Sequence, residues 1–132
     1  MKHITCPIVL HPTGTPRRVL MLTHPDAGTH IMRSALKEGE DPTTAASRAL
    51  FEATGLETSD VLPLGQNGEI AQNENWHFML CRVTEPVRNE WKHPSADGSD
   101  VPVTAQWHEL DETPEGMHRH FRRAFAWIQM EL

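Results

Sequence analysis

The sequence predicts one α/β domain, because β-prone runs surround a clearly capped helix and a second amphipathic helix ends the chain. Its 132 residues are enough for one hydrophobic core and too few for two ordinary domains. Hydrophobic residues make up 38% and charged residues 23%, a composition typical of globular proteins and not of disordered ones. We therefore expect residues 1–132 to form a single domain.

The N-terminal part of the chain is predicted to be β structure. Two β-prone runs, residues 4–10 and 17–23, are joined by residues 11–16, which are rich in turn formers. This arrangement predicts a hairpin. A short strand is predicted next, over residues 30–33.

The clearest helix signal of the sequence covers residues 42–54. Asp41 suits the N-cap, Pro42 suits the first helical position, and Gly55 stands where a left-handed residue ends a helix. Small and apolar residues recur with helical spacing along one side. They are Ala45, Ala46, Ala49, Leu50 and Ala53. We expect this side to pack on a sheet.

Three strands are predicted in the second half of the chain, over residues 61–71, 76–84 and 101–110. Between the last two lies a polar stretch, residues 86–100, which is longer than a hairpin connection requires. We interpret this stretch as a loop that faces a ligand, because long loops often carry function.

A second helix is predicted at the C-terminus, with Thr113 as its cap and Pro114 in its first turn. Its apolar stripe consists of Met117, Phe121, Ala124, Phe125, Ile128 and Leu132. Arg119, Arg122 and Arg123 lie on its polar side, where they either contact phosphates or acidic partners or form an ordinary solvated face.

Charge and cysteine content limit the partners and the compartment. Twelve Lys and Arg residues against eighteen Asp and Glu give a net charge of −6, which argues against binding to a nucleic-acid backbone. Cys6 and Cys81 lie far apart without a CxxC pair, so neither a disulfide scaffold nor a zinc site is indicated. No apolar run approaches the ~20 residues of a membrane-spanning helix. We expect a soluble cytoplasmic protein without nucleic-acid or membrane partners.

Residues 34–56 carry charged and small residues at fixed offsets across a loop, a capped helix and a glycine stop. This segment resembles the box of the Nudix (MutT-like) hydrolase superfamily, G-x5-E-x7-R-E-U-x-E-E-x-G-U, in which U is a bulky aliphatic residue. The matching positions are Glu40, Arg48, Leu50, Glu52, Gly55 and Leu56. Ser34, Ala49 and Ala53 replace a glycine and two glutamates, so the box is degenerate.

The resemblance implies a Nudix-type α/β/α sandwich with a mixed central sheet, and hydrolysis of a nucleoside diphosphate linked to another group. In the family, the residues at positions 49, 52 and 53 are carboxylates on one side of the helix, where they bind Mg²⁺ or Mn²⁺. Only Glu52 remains here. The resemblance also implies a metal contact from the backbone carbonyl of Ser34, and scaffold contacts of Arg48 with Glu40 and Glu52. Alternatively, Ala49 and Ala53 simply pack on the sheet.

Loop carboxylates could rebuild a metal site around Glu52. The candidates are Glu38, Asp97, Asp100, Glu109 and Glu112. Asp97 and Asp100 are the best placed, because alternating Asp residues near a glycine can turn two carboxylates inward. The alternative is an ordinary Asx turn.

Two pairs of aromatic residues are candidates for substrate binding. Trp91 and Trp76 could stack on a nucleobase, and the neighbouring His93 and His77 could donate to a phosphate. A tryptophan buried as an anchor of its loop is the alternative.

The sequence thus predicts a Nudix hydrolase whose activity is weak or altered, with Glu52, Arg48 and Glu40 as catalytic residues and a small nucleotide-like ligand as partner. The main alternative is a catalytically inactive Nudix-fold module that binds a nucleotide or a partner. A domain that oligomerises without a ligand is a third hypothesis. Monomer and homodimer are both left open.

Overall fold

A computed structural model of the chain describes residues 1–84, 88–96, 98 and 100–132. These residues form two four-stranded sheets and two helices. The strands are β1 (Lys2–Ile8), β2 (Arg18–His24), β3 (Gly28–His30), β4 (Ser34–Ala35), β5 (Thr58–Asn67), β6 (Glu74–Val83), β7 (Glu90–His93) and β8 (Val103–Glu109), and the helices are α1 (Pro42–Thr54) and α2 (Arg119–Glu131). No helix in this part of the chain is long and apolar enough to cross a membrane.

The strands form one mixed and one antiparallel sheet. The mixed sheet has the order β4-β1-β6-β5, in which β1 and β6 are parallel. The antiparallel sheet has the order β3-β2-β8-β7. The β layer therefore consists of two sheets, where the sequence predicted one central sheet.

The core is divided between the two faces of the β layer. On one face, Ala46 and Leu50 of α1 pack with Met79 of β6. On the other face, Phe125 of α2 packs with Phe78 of the same strand. Neighbouring residues of β6 thus point to opposite helices, as strand geometry requires. The predicted α/β/α layering is confirmed.

The predicted N-terminal hairpin is wrong for most of its length. Leu10 bridges Val19 in antiparallel register, but β1 then pairs with β4 and β6, whereas β2 pairs with β3 and β8. Residues Ile4–Ile8 of β1 are buried without interruption. Burial on both faces is typical of a central strand, which needs a neighbour on each side and cannot remain in a two-stranded hairpin.

Helix α1 has the bounds that the sequence predicts. The Asp41 side chain accepts a hydrogen bond of 2.8 Å from the backbone amide of Thr44, which satisfies one of the free amides at the helix start. Gly55 has φ of 79° and ends the helix in the left-handed conformation. The predicted small and apolar side is buried.

The predicted start of the C-terminal helix is wrong. Thr113 and Pro114 do not begin it; α2 starts at Arg119, and the N-cap is His118. The reason is Gly116, whose φ of 72° turns the chain out of the helical region before the helix begins. The helix still buries Ala124, Phe125 and Ile128 of the predicted stripe.

Two predicted strand positions are shifted. The strand expected over residues 30–33 is two short strands, β3 and β4, on either side of Ile31 and Met32, which are buried. The strand expected over residues 61–71 begins earlier, at Thr58, and ends at Asn67.

The stretch interpreted as a long loop contains a strand. Strand β7 lies within residues 86–100 and pairs antiparallel with β8, so Trp91 and His93 lie on a sheet and not in a loop. Pro86 and Asp97 lie outside the described residues. The described residues between β7 and β8 include Ser95 and Ala96, which border the cleft described below.

Candidate functional site

A cleft with a volume of about 490 Å³ lies beside the middle of helix α1. The helix contributes Arg48, Ala49, Glu52 and Ala53 to its wall. Other walls come from β2, β3, the segment between β3 and α1, the segment after β7, and α2. Four residues of the box helix therefore face this cleft.

Arg48 connects the loop before α1 to the helix. Its Nε and Nη2 donate to the two carboxylate oxygens of Glu40, at 2.8 and 2.9 Å. Its Nη2 also donates to the carbonyl of Ala35 at 3.1 Å, and its Nη1 to the hydroxyl of Ser34 at 3.3 Å. A paired, hydrogen-bonded guanidinium of this kind fixes the path of the loop.

The same side chain changes the ionisation of Glu40. Hydrogen bonds from Arg48, together with one from the backbone amide of Lys37, lower the pKa of Glu40 from 4.5 to about 2. The bonds to Glu40, with a smaller contribution from Glu52, raise the pKa of Arg48 above its usual value. Glu40 and Arg48 are thus a charged pair across the neutral pH range.

Glu52 is also engaged by Arg48. Its Oε1 accepts a hydrogen bond of 2.6 Å from Nη1, while its side chain stays 45% exposed. The contact spans one helical turn, at i, i+4. One carboxylate oxygen of Glu52 is therefore occupied by a cation of the same helix.

The two substituted positions of the box lie next to Glu52 on the cleft wall. Ala49 is 5% and Ala53 is 7% exposed, and both line the cleft. Ala53 also packs in the core with Leu50 and Leu56. The methyl group of Ala53 therefore belongs both to the core and to the cleft wall.

The described residues do not fit the metal site of a complete Nudix box. Among them, no three His, Cys, Asp or Glu side chains are close enough to hold an ion. Asp100 is exposed and does not line the cleft, and Asp97 lies outside the described residues. Ser34 lines the cleft, but its carbonyl and the Glu52 carboxylate are fewer oxygen ligands than Mg²⁺ usually takes from a protein and its substrate.

Two histidines form part of the opposite wall. The Nδ1 of His24 accepts from the backbone amides of Asp26 and Ala27, at 3.1 and 3.3 Å, so the neutral ring carries its proton on Nε2. The Nδ1 of His30 lies 3.0 Å from the carbonyl of Ile31 and donates to it, which leaves its Nε2 as an acceptor. In the neutral rings, the Nε2 of His24 is therefore a hydrogen-bond donor and the Nε2 of His30 is an acceptor.

Arg33 adds a second cation to the cleft wall. Its guanidinium lies 3.6 Å from the carboxylate of Glu74 and 5.4 Å from the centre of the Trp76 ring. It makes no side-chain hydrogen bond with the residues that the structure describes. Arg33, His24 and His30 could not be predicted from the sequence, because no local motif connects them to the box.

Trp91 and His93 lie at the C-terminal end of α1 and do not line the cleft. The indole Nε1 of Trp91 donates to the carbonyl of Thr54 at 3.0 Å, and Arg88 lies over the ring at 4.5 Å. The His93 ring lies against Gly55, where a Cβ would meet it at 3.3 Å. These contacts attach β7 to the box helix and agree with the anchor alternative for Trp91.

Trp76 and His77 are not brought to the cleft either. Trp76 is 1% exposed and donates its Nε1–H to Glu74 at 2.9 Å, so its ring has no open face on which a nucleobase could stack. His77 is buried, and its Nε2 lies 2.9 Å from the Nδ1 of His3. Of the predicted site residues, the cleft thus unites Ser34, Arg48 and Glu52, with Glu40 held behind Arg48.

The pair of His77 and His3 predicts sensitivity to acid. Burial, followed by the proximity of His3, lowers the pKa of His77 below its usual value of 6.5. The folded chain therefore binds this proton less tightly than the unfolded chain, so the contribution of His77 to stability is complete above about pH 6.5 and decreases as the pH falls below it. Urea unfolding should show that the free energy of unfolding falls less between pH 7.5 and pH 5.5 in His77→Gln than in the natural chain.

The control for this prediction is His108→Gln, which removes a different, partly buried imidazole. It should keep the pH dependence of the natural chain. If the free energy of unfolding decreases equally in all three proteins between pH 7.5 and pH 5.5, His77 is not the source of the acid sensitivity.

The comparisons with known proteins agree with this fold. The family model described as the NUDIX domain matches residues 1–128, so the chain belongs to the Nudix family. No curated protein sequence gives a significant match.

Solved structures share the fold at low sequence identity. A MutT structure from work on Aliivibrio salmonicida and Vibrio cholerae has a TM-score of 0.63 and 16% identity, over 96% of this chain and 98% of that one. An ADP-ribose pyrophosphatase from Streptococcus suis has a TM-score of 0.69 and 14% identity, over 98% of this chain and 90% of that one. Nudix hydrolases generally use divalent ions such as Mg²⁺ or Mn²⁺.

Proposed function

We propose that this chain binds a nucleoside diphosphate linked to another group in the cleft, and that it hydrolyses the phosphoanhydride bond only slowly. The observation that carries the proposal is the position of the Ala49 and Ala53 methyl groups on the cleft wall beside Glu52. The cleft lies along the box helix, with alanine at two of the three positions where the resemblance implies carboxylates.

Ligand binding is supported by the charges that remain. Arg33 and the Nε2–H of His24 are donors on the wall, and Glu52 is the only carboxylate among the lining residues that the structure describes. Two guanidinium groups, those of Arg33 and Arg48, line the cleft against one carboxylate in its described lining, which favours an anionic ligand. A diphosphate fits such a wall better than a free cation does.

Slow hydrolysis is supported by the missing carboxylates. In a complete site, the metal ion that they hold stabilises the charge that develops on the phosphate oxygens. If that stabilisation is about 4 kcal/mol, its loss slows the reaction roughly a thousandfold. Any Mg²⁺ or Mn²⁺ bound here would depend on Glu52, on Ser34 and on the ligand's own phosphates.

A second candidate function is nucleotide binding without hydrolysis. It is favoured by the 2.6 Å hydrogen bond between Glu52 and Arg48, which ties the last box carboxylate to the scaffold. In this case ligand affinity would be independent of metal and nearly unchanged by Glu52→Ala.

The experiment is hydrolysis of a panel of nucleoside diphosphates, nucleoside triphosphates, nucleotide sugars and dinucleoside polyphosphates with Mg²⁺ or Mn²⁺. We expect slow turnover that falls at least tenfold in Glu52→Ala. Glu57→Ala is the matched control, since Glu57 is exposed and does not line the cleft, and it should keep full turnover. Turnover equal in all three proteins would reject Glu52 as a catalytic residue. No turnover, with metal-independent binding, would support the second candidate.

A further inference from the structure

A smaller cavity, of about 290 Å³, lies at the beginning of helix α2. Its lining consists of Arg33, Glu74, Trp76, His118, His120 and Phe121. Neither the box nor the predicted substrate residues, apart from the buried Trp76, belong to it. Apart from Arg33, none of the lining residues takes part in the proposed function.

The smaller cavity adjoins the cleft, because Arg33 and Phe121 line both. The centre of the Phe121 ring lies 5.4 Å from the ring centre of His30 in the cleft and 6.4 Å from that of His118 in the smaller cavity. Arg33 is thus the cation that a ligand extending from the cleft into the smaller cavity would pass.

The smaller cavity offers hydrogen-bond donors. The Nδ1 of His118 accepts from the backbone amide of His120 at 3.2 Å, so the neutral His118 ring carries its proton on Nε2 and is a donor there. The closest acidic contact of Arg33, with Glu74, is 3.6 Å, which is too long for a hydrogen bond. Arg33 is therefore ion-paired with Glu74 without a hydrogen bond, and its N–H groups can donate to another acceptor.

Guanidinium groups lie on the cavity wall and close to it. Glu74 is the one carboxylate in its described lining, and it already accepts from the indole of Trp76. The charges of Arg119 and Arg123 also act on His120, in addition to Arg33 on the cavity wall. Arg33 on the wall, with Arg119 and Arg123 near His120, supplies positive charge that favours an anion over a sugar or a cation.

We propose that the smaller cavity is a phosphate-binding subsite formed by Arg33, His118 and His120. The phosphate is either the terminal group of the ligand that occupies the cleft, in which case the inference rests on the proposed function, or free inorganic phosphate. If the phosphate is the terminal group of the ligand in the cleft, the preferred ligand carries a further phosphate beyond its diphosphate. Tetrahedral phosphate oxygens match several donors that converge from different elements.

The test is calorimetric titration of the whole chain, without metal and at pH 7.5, with inorganic phosphate, diphosphate and triphosphate as probes. These probes carry no base, so an unknown base preference does not affect the result. We expect His120→Glu to lower the affinity for triphosphate about tenfold, and to change the affinity for diphosphate less than twofold. His120→Ala should act in the same direction by about threefold, and it covers the case in which the glutamate variant does not fold.

The matched control is Arg122→Gln, which also changes the charge by −1 on the same helix but lines neither cavity. It should affect the three probes equally and less than twofold. A loss confined to inorganic phosphate in the His120 variants would assign the subsite to free phosphate. If the His120 variants behave like Arg122→Gln, the subsite is rejected while diphosphate binding still supports the proposed function. If neither polyphosphate binds but the His120 variants lose inorganic phosphate, the subsite stands and the proposed function fails.

Discussion

Replacing Ala49 and Ala53 together by glutamate is expected to raise Mg²⁺-dependent hydrolysis of the best panel substrate roughly a thousandfold. The double variant restores carboxylates at the two box positions on either side of Glu52. All three positions lie on the cleft wall, so the new side chains can extend into the cleft. Three carboxylates on one helix face repel each other when empty and are neutralised by a divalent cation.

The double variant should also respond to the metal without any substrate. Ala53 packs with Leu50 and Leu56, so a glutamate there is expected to destabilise the metal-free protein by about 1–3 kcal/mol. Mg²⁺ should then raise its melting temperature, because an ion that binds only the folded chain stabilises it. The natural chain should show a smaller rise.

Phe51→Glu provides the control for this experiment. Phe51 is an exposed residue of α1 that does not line the cleft, so the substitution adds a carboxylate to the same helix at a different place. Neither hydrolysis nor the response to Mg²⁺ should change. A double variant that stays inactive and whose melting temperature ignores Mg²⁺ would contradict the assignment of the box helix as an impaired metal site.

Helix α1 could be predicted to the residue because its signals are local. Asp41, Pro42 and Gly55 act on the backbone within one turn of where they stand, and their effects do not depend on the rest of the fold. The same reasoning failed at Thr113, where an equally good local cap is followed by Gly116 in the left-handed conformation. Local signals thus predict an element only where nothing nearby competes with them.

Strand partners could not be predicted in the same way. The runs that form β1 and β2 are neighbours in sequence, but β1 lies between β4 and β6, and β6 is about seventy residues away along the chain. β7 was missed for a related reason, since its four residues become a strand through pairing with β8. Strand pairing is decided by burial and by contacts distant in sequence.

The candidate site also contains a part that local sequence signals predict and a part that depends on contacts distant in sequence. Arg48, Glu52 and Glu40 belong to one continuous segment, and the structure unites them. Arg33, His24 and Phe121 come from the segment before β4, from β2 and from α2, and the tertiary fold brings them to one cleft. A sequence motif can therefore predict the helix side of this cleft but not the opposite wall.

Arg48→Ala is expected to lower the free energy of unfolding by about 3 kcal/mol. The substitution removes the charged partner of Glu40, whose side chain is only 11% exposed, and it also removes the hydrogen bonds to Ser34 and Ala35. Loss of one member of a largely buried, hydrogen-bonded ion pair is costly because the other charge stays desolvated. Urea unfolding at pH 7 measures the effect, and Arg82→Ala, at an exposed position of β6, should change it by less than about 0.5 kcal/mol.

The pH dependence identifies Glu40 as the partner that matters. Its pKa is about 2 in the folded chain and 4.5 without the pairing, so the unfolded chain binds the proton more tightly. The stabilisation is therefore complete above about pH 4.5 and is lost as the pH falls towards 2. The difference in unfolding free energy between the natural chain and Arg48→Ala should narrow over this interval. A difference that stays constant from pH 7 to pH 3 would mean that Arg48 stabilises the loop through its neutral acceptors, Ser34 and Ala35, and not through the charge of Glu40.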